Sequence, residues 1–184
     1  MATRGPGRPP TFSGEQFVAA AIEAIEERGV ANLTMREIAV RLGAAPSAAY
    51  RHVADKEQLM LMVVDEILGK IEVPETGTWH ERLIELHLRT RTILKRYPGV
   101  GEYIIHVSPR ESEQSQRLLG AINGMLAEGG LDDDGAYRAT ILIYKLLAGD
   151  LVVGVRSQLT EQADTELFVF GVDALLSGFG LDLS

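Results

Sequence analysis

Apolar side chains recur at helical spacing through most of the chain, and no stretch alternates between apolar and polar residues as a strand would. The spacing predicts helices over about 13–29, 34–43, 46–53, 78–97, 99–107, 110–128, 132–157 and 161–179, with a further long helix beginning after residue 55. Prolines fall between these segments, as expected where helices end. The pattern therefore predicts an all-α fold.

The first helices carry strong start signals. Ser13 is followed at the third position by Gln16, and Thr34 by Glu37, which is the spacing of a capping box. Asp55 is the predicted N-cap of the long helix. Gly29 is predicted to end the first helix in the left-handed conformation that glycine tolerates.

Two short predicted helices, 34–42 and 46–53, are joined by three small residues and have the proportions of a helix-turn-helix. On length alone, a helical hairpin without a function would be the default interpretation. The second helix, however, carries small, hydroxyl-bearing and cationic side chains at its exposed positions. Such groups can lie against a phosphate backbone and a groove floor, which favours DNA binding.

The last two helices are different, because apolar residues occupy nearly their whole circumference. This holds for ATILIYKLLAGDLVVGV and LFVFGVDALLSGF. A helix that is apolar all round must be buried on all sides. A second copy of the chain, packed as a four-helix bundle about a two-fold axis, would cover both helices, so we predict a homodimer. The alternative is a monomer whose central helix is wrapped by the others.

Composition limits the classes of protein to consider. The chain has 184 residues, of which 46% are hydrophobic, and no cysteine. This excludes a disulfide scaffold, thiolate catalysis and cysteine-ligated zinc. No apolar run reaches the length of a membrane span, and the N-terminus lacks the apolar stretch of a signal peptide, so we expect a cytoplasmic protein without a membrane partner.

The net charge of −8 is unevenly distributed. Residues 1–56 carry seven basic and six acidic side chains, whereas the rest of the chain carries eleven and twenty. The acidic remainder would repel DNA from every face except the one that presents the basic groups. The charge distribution is therefore compatible with nucleic-acid binding at the front of the chain.

The segment FSGEQFVAAAIEAIEERGVANLTMREIAVRLGAAPSAAYRHVADKEQL resembles the DNA-binding region of the bacterial tetracycline-repressor (TetR) family. The resemblance rests on LTMREIA, RLG, the triplet YRH and Lys56, at the family's intervals. It implies a basic arm over 1–12, a helix-turn-helix domain over 13–54, and a helical effector-binding and dimerisation domain over 55–184. It also implies a cytoplasmic homodimer that binds a palindromic double-stranded operator and is released by a small molecule.

The resemblance also implies roles for individual residues at the DNA. Thr34 would contact a phosphate, and Arg36 would read a guanine edge in the major groove. The groove floor would be faced by Pro46, Ser47 and Ala48. Phosphates would be held by Tyr50, Arg51, His52 and Lys56, and Arg51 could also reach a base. The N-terminal arm would insert Arg4 and Arg8 into the minor groove, or it is a tail without a function. Arg41 is expected to be a solvated surface charge.

For the effector, the expected site is a cavity lined by apolar and aromatic side chains with a few polar tips. The candidates are Met62, Leu86, His87, Thr90, Tyr103, His106, Tyr137 and Tyr144. Residues of these types are more often core residues than ligand contacts. His106 lies near the metal-ligating histidine of tetracycline-binding members, but Pro109 stands where those members have threonine, so magnesium–tetracycline is not the expected effector.

Enzymatic alternatives find little support. His80 and His87 share one helix but lack a third ligand at a suitable spacing, so no metal or cofactor is predicted. Asp150, inside an apolar helix, is expected to pair with a cation across the dimer. A helical protein-interaction module without sequence-specific DNA binding stays open as the alternative function.

Overall fold

The computed structural model describes residues 13–45, 53–106, 112–153 and 159–183. These residues form eight α-helices and no strand. The helices are α1 (Gly14–Arg28), α2 (Met35–Arg41), α3 (Lys56–Gly69), α4 (Trp79–Lys95), α5 (Val100–His106), α6 (Glu113–Glu128), α7 (Asp133–Val153) and α8 (Glu161–Gly178), with a 3₁₀ turn at Val30–Asn32. This part of the chain confirms the predicted all-α class.

Capping determines where the helices begin, largely as the sequence predicts. Ser13 and Gln16 form a complete capping box at α1, and the backbone N–H of Gln58 donates to Asp55 at the start of α3 (2.8 Å). Gly29 ends α1 with φ 76° and ψ 165°, so φ is positive as predicted, but ψ lies outside the left-handed helical region. The chain thereby leaves α1 extended and enters the 3₁₀ turn.

The chain divides into two compact units, Met1–Val63 and Val64–Ser184. The division falls within α3, whereas the sequence placed the boundary before this helix. In the first unit, α1 and α2 pack around Phe17, Ile25, Leu33 and Ile38, which are at most 2% exposed. The predicted recognition helix, 46–53, lies outside the described residues except for Val53, which is buried.

In the second unit, α7 packs against α6 and α8, and α4 packs against α6 and α7. Leu83, Leu86, Leu126, Ile143 and Leu176 form a core that excludes solvent. Among the residues described, no helix is long and apolar enough to cross a membrane.

Candidate nucleic-acid interface and buried polar sites

Thr34 caps α2, as predicted. Its hydroxyl oxygen accepts a hydrogen bond from the backbone N–H of Glu37 (3.2 Å), and its side chain stays exposed. The carboxylate of Glu37 does not reach back to complete the capping box, because it pairs with Arg28 and Arg41 instead. Thr34 is therefore placed at an open helix N-terminus, where backbone N–H groups favour an anion.

Arg41 is exposed, as the sequence suggests, and it also joins α2 to α1. Its guanidinium donates to both carboxylate oxygens of Glu27, and its Nε donates to Glu37 (3.3 Å). The hydrogen bond to Glu27 is the main cause of the raised pKa of Arg41, and the same bond lowers the pKa of Glu27. The positive charge of Arg41 is thus committed to holding the two helices together.

Arg36 differs from Arg28 and Arg41 in that it forms no ion pair within the described residues. It is exposed on α2 and has no ion-pair or hydrogen-bond partner within the described residues. Val40, one turn further along α2, is 63% exposed, and the two side chains line one concave patch of the surface with Thr34. Because its neighbouring arginines are engaged, Arg36 is the cation that α2 leaves available to an external partner.

Lys56 begins α3, and its ammonium group donates to the carbonyl of Val30 (3.3 Å). This bond ties the start of α3 to the 3₁₀ turn and leaves further ammonium protons for a phosphate. The other predicted DNA contacts lie outside the described residues. They are Pro46, Ser47, Ala48, Tyr50, Arg51 and His52, together with Arg4 and Arg8.

In the second unit, three predicted effector contacts lie on α4. Leu86 and His87 are buried, at 1% and 5% exposure, and Thr90 is half-buried. The ring Nδ1 of His87 lies 2.7 Å from the carbonyl of Leu83, and the hydroxyl of Thr90 donates to the carbonyl of Leu86 (2.8 Å). Burial lowers the pKa of His87 despite this backbone hydrogen bond, so the imidazole is held neutral.

The remaining predicted effector contacts have unequal exposure. Met62 and Tyr137 are 38% and 62% exposed, and Tyr103 is half-buried. His106 is the last residue of α5, and its side chain lies outside the described part. The hydroxyl oxygen of Tyr144 is buried and has no hydrogen-bond partner among the described residues, and burial raises its pKa to about 12. Tyr144 therefore offers an uncharged donor for which the described part of the chain supplies no acceptor.

A buried ionic cluster links α4, α7 and α8. Arg91 donates to both carboxylate oxygens of Asp150 (2.6 and 3.2 Å), to Asp164 and to the hydroxyl of Thr165 (3.2 Å). Asp164 also accepts from Lys95 (2.9 Å). The expectation that Asp150 would pair across a dimer is therefore wrong, because a cation of the same chain neutralises it.

The ion pairs of this cluster change the pKa values of Arg91 and Asp164. Burial alone would lower the pKa of Arg91, but its hydrogen bonds and charge interactions with Asp150 and Asp164 raise it. Lys95 and Arg91 hold the pKa of Asp164 below its ordinary value despite burial. The sequence contained a signal for this site, since Arg91 follows Leu83 and His87 on the buried face of α4, where a charge needs a partner.

His80 does not meet His87 in a metal site. Its Nε2 lies 2.8 Å from the carboxylate of Asp173, which joins α4 to α8. Nowhere in the described ranges do three or more histidine, aspartate or glutamate side chains cluster as metal ligands would.

Comparison with known proteins identifies the family. Residues 17–63 match the model of the bacterial regulatory proteins of the tetR family, and residues 73–167 match that of the tetracyclin repressor-like C-terminal domain. The chain belongs to the TetR family. Because this is a family of regulatory proteins, the match confirms the expectation that the chain is not an enzyme.

Among similar proteins, the HTH-type transcriptional repressor DrrR1 of Streptomyces coeruleorubidus is 29% identical over 87% of this chain and 58% of its own length. Apo ActR from Streptomyces coelicolor superposes with a TM-score of 0.79 at 20% identity, covering 94% of this chain and 99% of ActR. ActR has also been solved with actinorhodin.

BioQ, solved with its double-stranded DNA operator, has a TM-score of 0.74 at 24% identity, covering 89% of this chain and 99% of BioQ. The chain spans only 39% and 58% of the lengths of two curated relatives. The similarity to ActR and BioQ shows the fold.

Proposed function

We propose that this chain is a cytoplasmic, homodimeric transcriptional repressor that binds a near-palindromic operator and is released from it by a small molecule. The observation that carries the proposal is the exposed cation Arg36 of α2, which has no ionic partner within the described residues and lies beside the capped N-terminus at Thr34. Membership of the TetR family and the operator complex of BioQ support this assignment.

Base reading is the proposed role of Arg36. A guanidinium can donate two parallel hydrogen bonds to O6 and N7 of guanine, which distinguishes this base in the major groove. Thr34 and Lys56 are proposed phosphate contacts that set the register of α2 on the duplex. Pro46, Ser47, Ala48, Tyr50, Arg51 and His52 are proposed to complete the interface, and Arg4 and Arg8 to reach the minor groove.

Apolar side chains exposed on α7 and α8 support the proposed homodimer. Leu142 and Val152 on α7 are 39% and 43% exposed, and Leu167 and Phe170 on α8 are 58% and 69% exposed. A second copy of the chain, meeting the same two helices about a two-fold axis, would remove these side chains from water. The front units would then be presented twice, which requires two half-sites in the operator.

The proposed effector site uses the uncharged polar groups of α4 and α7. His87 is held neutral, Thr90 keeps an oxygen that can accept, and the phenol of Tyr144 has no acceptor among the residues that the structure describes. Such groups suit an apolar molecule with carbonyl or hydroxyl oxygens. The complex of ActR with actinorhodin supports a small organic molecule as the effector class.

The proposal is tested by selecting genomic fragments on the purified protein and measuring their affinity by gel shift at several salt concentrations. A dimer that contacts about eight to ten phosphates should lose about 10³-fold or more in affinity between 50 and 200 mM salt. Sedimentation of the free protein should give twice the mass of one chain. A single sedimenting chain that binds no fragment at low salt would reject the proposal and favour a protein-interaction module.

A further inference from the structure

Three helices of the described residues begin with the spacing of a capping box, a hydroxyl N-cap followed at the third position by glutamine or glutamate. At α1 and α4 the box is complete, because the side chains of Gln16 and Glu81 accept from the backbone N–H of their N-caps (2.9 and 2.8 Å). At α2 only one of the two bonds is formed, from the backbone N–H of Glu37 to the hydroxyl of Thr34 (3.2 Å). The same local spacing therefore has a different outcome at α2.

Two arginines account for the position of Glu37. One of its carboxylate oxygens pairs with Arg28, the last residue of α1, and accepts from Nε of Arg41 (3.3 Å), one turn further along α2. Arg41 also donates to both carboxylate oxygens of Glu27. We call these four side chains the α1–α2 ion-pair network. It holds two positive and two negative charges, and it keeps the carboxylate of Glu37 on the side of α2 that packs against α1.

The α1–α2 ion-pair network lies at the surface, since none of its four side chains is buried. Ion pairs that stay in contact with water add little to stability, because hydration and screening weaken them. What the network does determine is the position of a negative charge. Glu37 lines the same concave patch as Thr34 and Arg36, the residues that are proposed to meet DNA.

A carboxylate released from the network has another partner within reach. The spacing that lets Gln16 and Glu81 close their boxes would let Glu37 accept from the backbone N–H of Thr34. Its negative charge would then lie beside the hydroxyl of Thr34 and would repel a phosphate there. Successive residues of a helix point in different directions, so Arg36 itself does not hold the carboxylate away from this position.

We propose that Arg28 and Arg41 are positioning residues for DNA binding. They hold the carboxylate of Glu37 away from the surface where Thr34 and Arg36 are proposed to meet the duplex. The inference rests on the proposed function. It differs from a direct role of the two arginines at the DNA, because their removal should weaken binding only while residue 37 carries a carboxylate.

Substitution of both arginines, Arg28→Gln with Arg41→Gln, releases Glu37 and tests the inference in the full-length protein. Gel shifts on a selected operator fragment should show an affinity that falls about tenfold, equally for all base variants of the operator, and a slope of log affinity against log salt that is smaller by about one. Arg41→Gln alone leaves Arg28 on the carboxylate and should have a smaller effect.

Glu37→Ala provides the decisive arm, because alanine removes the carboxylate and cannot close the capping box as glutamine does at α1. In the wild type this substitution should change the affinity by less than about threefold. Added to the double arginine variant, it should restore most of the lost affinity. Glu27→Ala is the matched control, since it removes a charge of the same network without the capping-box spacing, and it should restore little.

Nuclear magnetic resonance measures closure of the box without DNA. Hydrogen exchange of the backbone N–H of Thr34 should slow severalfold in the double arginine variant, where Glu37 accepts from it. The rate should return to that of the wild type when Glu37→Ala is added.

The outcomes separate the inference from the proposed function. Operator binding by the wild type with no loss in the double arginine variant overturns the inference alone, and so does an unchanged exchange rate at Thr34. A loss that Glu37→Ala does not restore, or that Glu27→Ala restores equally, also overturns it, since the arginines would then act by joining α1 to α2 or through net charge. If the wild type binds no DNA fragment, the proposed function fails and the inference fails with it.

Discussion

Arg36 and Arg91 carry the same charge and belong to different units, but their surroundings are opposite. Arg36 is exposed on α2 without a partner in the described residues, whereas Arg91 is 4% exposed and lies between Asp150 and Asp164. A guanidinium taken out of water must be neutralised inside the protein. An exposed one keeps its hydration and can exchange it for an external anion or base edge.

The comparison shows that basic side chains have different roles in the two units. In the first unit, Arg28 and Arg41 bind the carboxylates of Glu27 and Glu37, which leaves Arg36 to the solvent. In the second unit, part of the acidic side chains pair with Arg91 and Lys95 within the fold. Removing each arginine should therefore affect different properties.

The largest effect is expected for Arg91→Ala. The substitution removes a buried guanidinium and leaves the half-buried carboxylate of Asp150 without this partner, while Asp164 keeps Lys95. We expect the free energy of unfolding to fall by up to about 3 to 5 kcal/mol, measured by urea denaturation. Arg138→Ala, which removes an exposed pair with Asp134 on the same helix, should cost less than about 1 kcal/mol. Equal losses in the two variants would contradict the proposed importance of burial at Arg91.

Arg36→Ala should leave stability nearly unchanged and weaken binding of the preferred operator by about 1 to 3 kcal/mol, with relaxed preference at one base position. Competition gel shifts against single-base operator variants measure both effects. Arg41→Ala is the matched control, because this arginine joins α1 to α2 and should keep the base preference. A uniform loss of affinity on all sequences in Arg36→Ala would contradict base reading.

His87 provides a pH-dependent test within the second unit. Its pKa in the folded protein lies below the ordinary value of 6.5, so below that pH the unfolded chain binds a proton that the folded chain does not. Stability should therefore decrease as the pH falls through the range below 6.5, by at most about 1.4 kcal/mol per pH unit from this group.

His87→Gln should remove this contribution, because its amide does not titrate and can still donate to the carbonyl of Leu83. The test measures the free energy of unfolding of wild type and variant at several pH values and follows how their difference changes with pH. A difference that does not change with pH would contradict a neutral, buried imidazole.

The smallest effect is expected for Tyr144→Phe. The substitution removes a buried hydroxyl that has no hydrogen-bond partner in the described ranges. The free energy of unfolding of the ligand-free protein should therefore rise, by about 1 kcal/mol at most. Thermal unfolding measures the change, and Tyr137→Phe, at an exposed tyrosine, is the control. A clear loss of stability in Tyr144→Phe would contradict the prediction, because it would mean that the hydroxyl forms a hydrogen bond in the folded protein.

Local signals predicted the helices well because they act within a few residues. The capping box at Ser13, the N-cap at Asp55 and the positive φ of Gly29 depend on neighbours in sequence. The half-formed box at Thr34 shows the limit of such reasoning. Glu37 has the right spacing, but Arg28 and Arg41 from the folded surface compete for its carboxylate.

The sequence by itself determined the helical class, the family and Arg36 as the foremost candidate for base reading, because periodicity, capping and motif spacing are local properties of the chain. Only the tertiary structure decided which charged side chains are paired with other groups of the same chain. Arg91 with Asp150, and Asp65 with Gln114, are separated by dozens of residues in sequence. Such long-range contacts depend on which helix faces meet, and that is determined by packing of the apolar core rather than by the charged residues themselves.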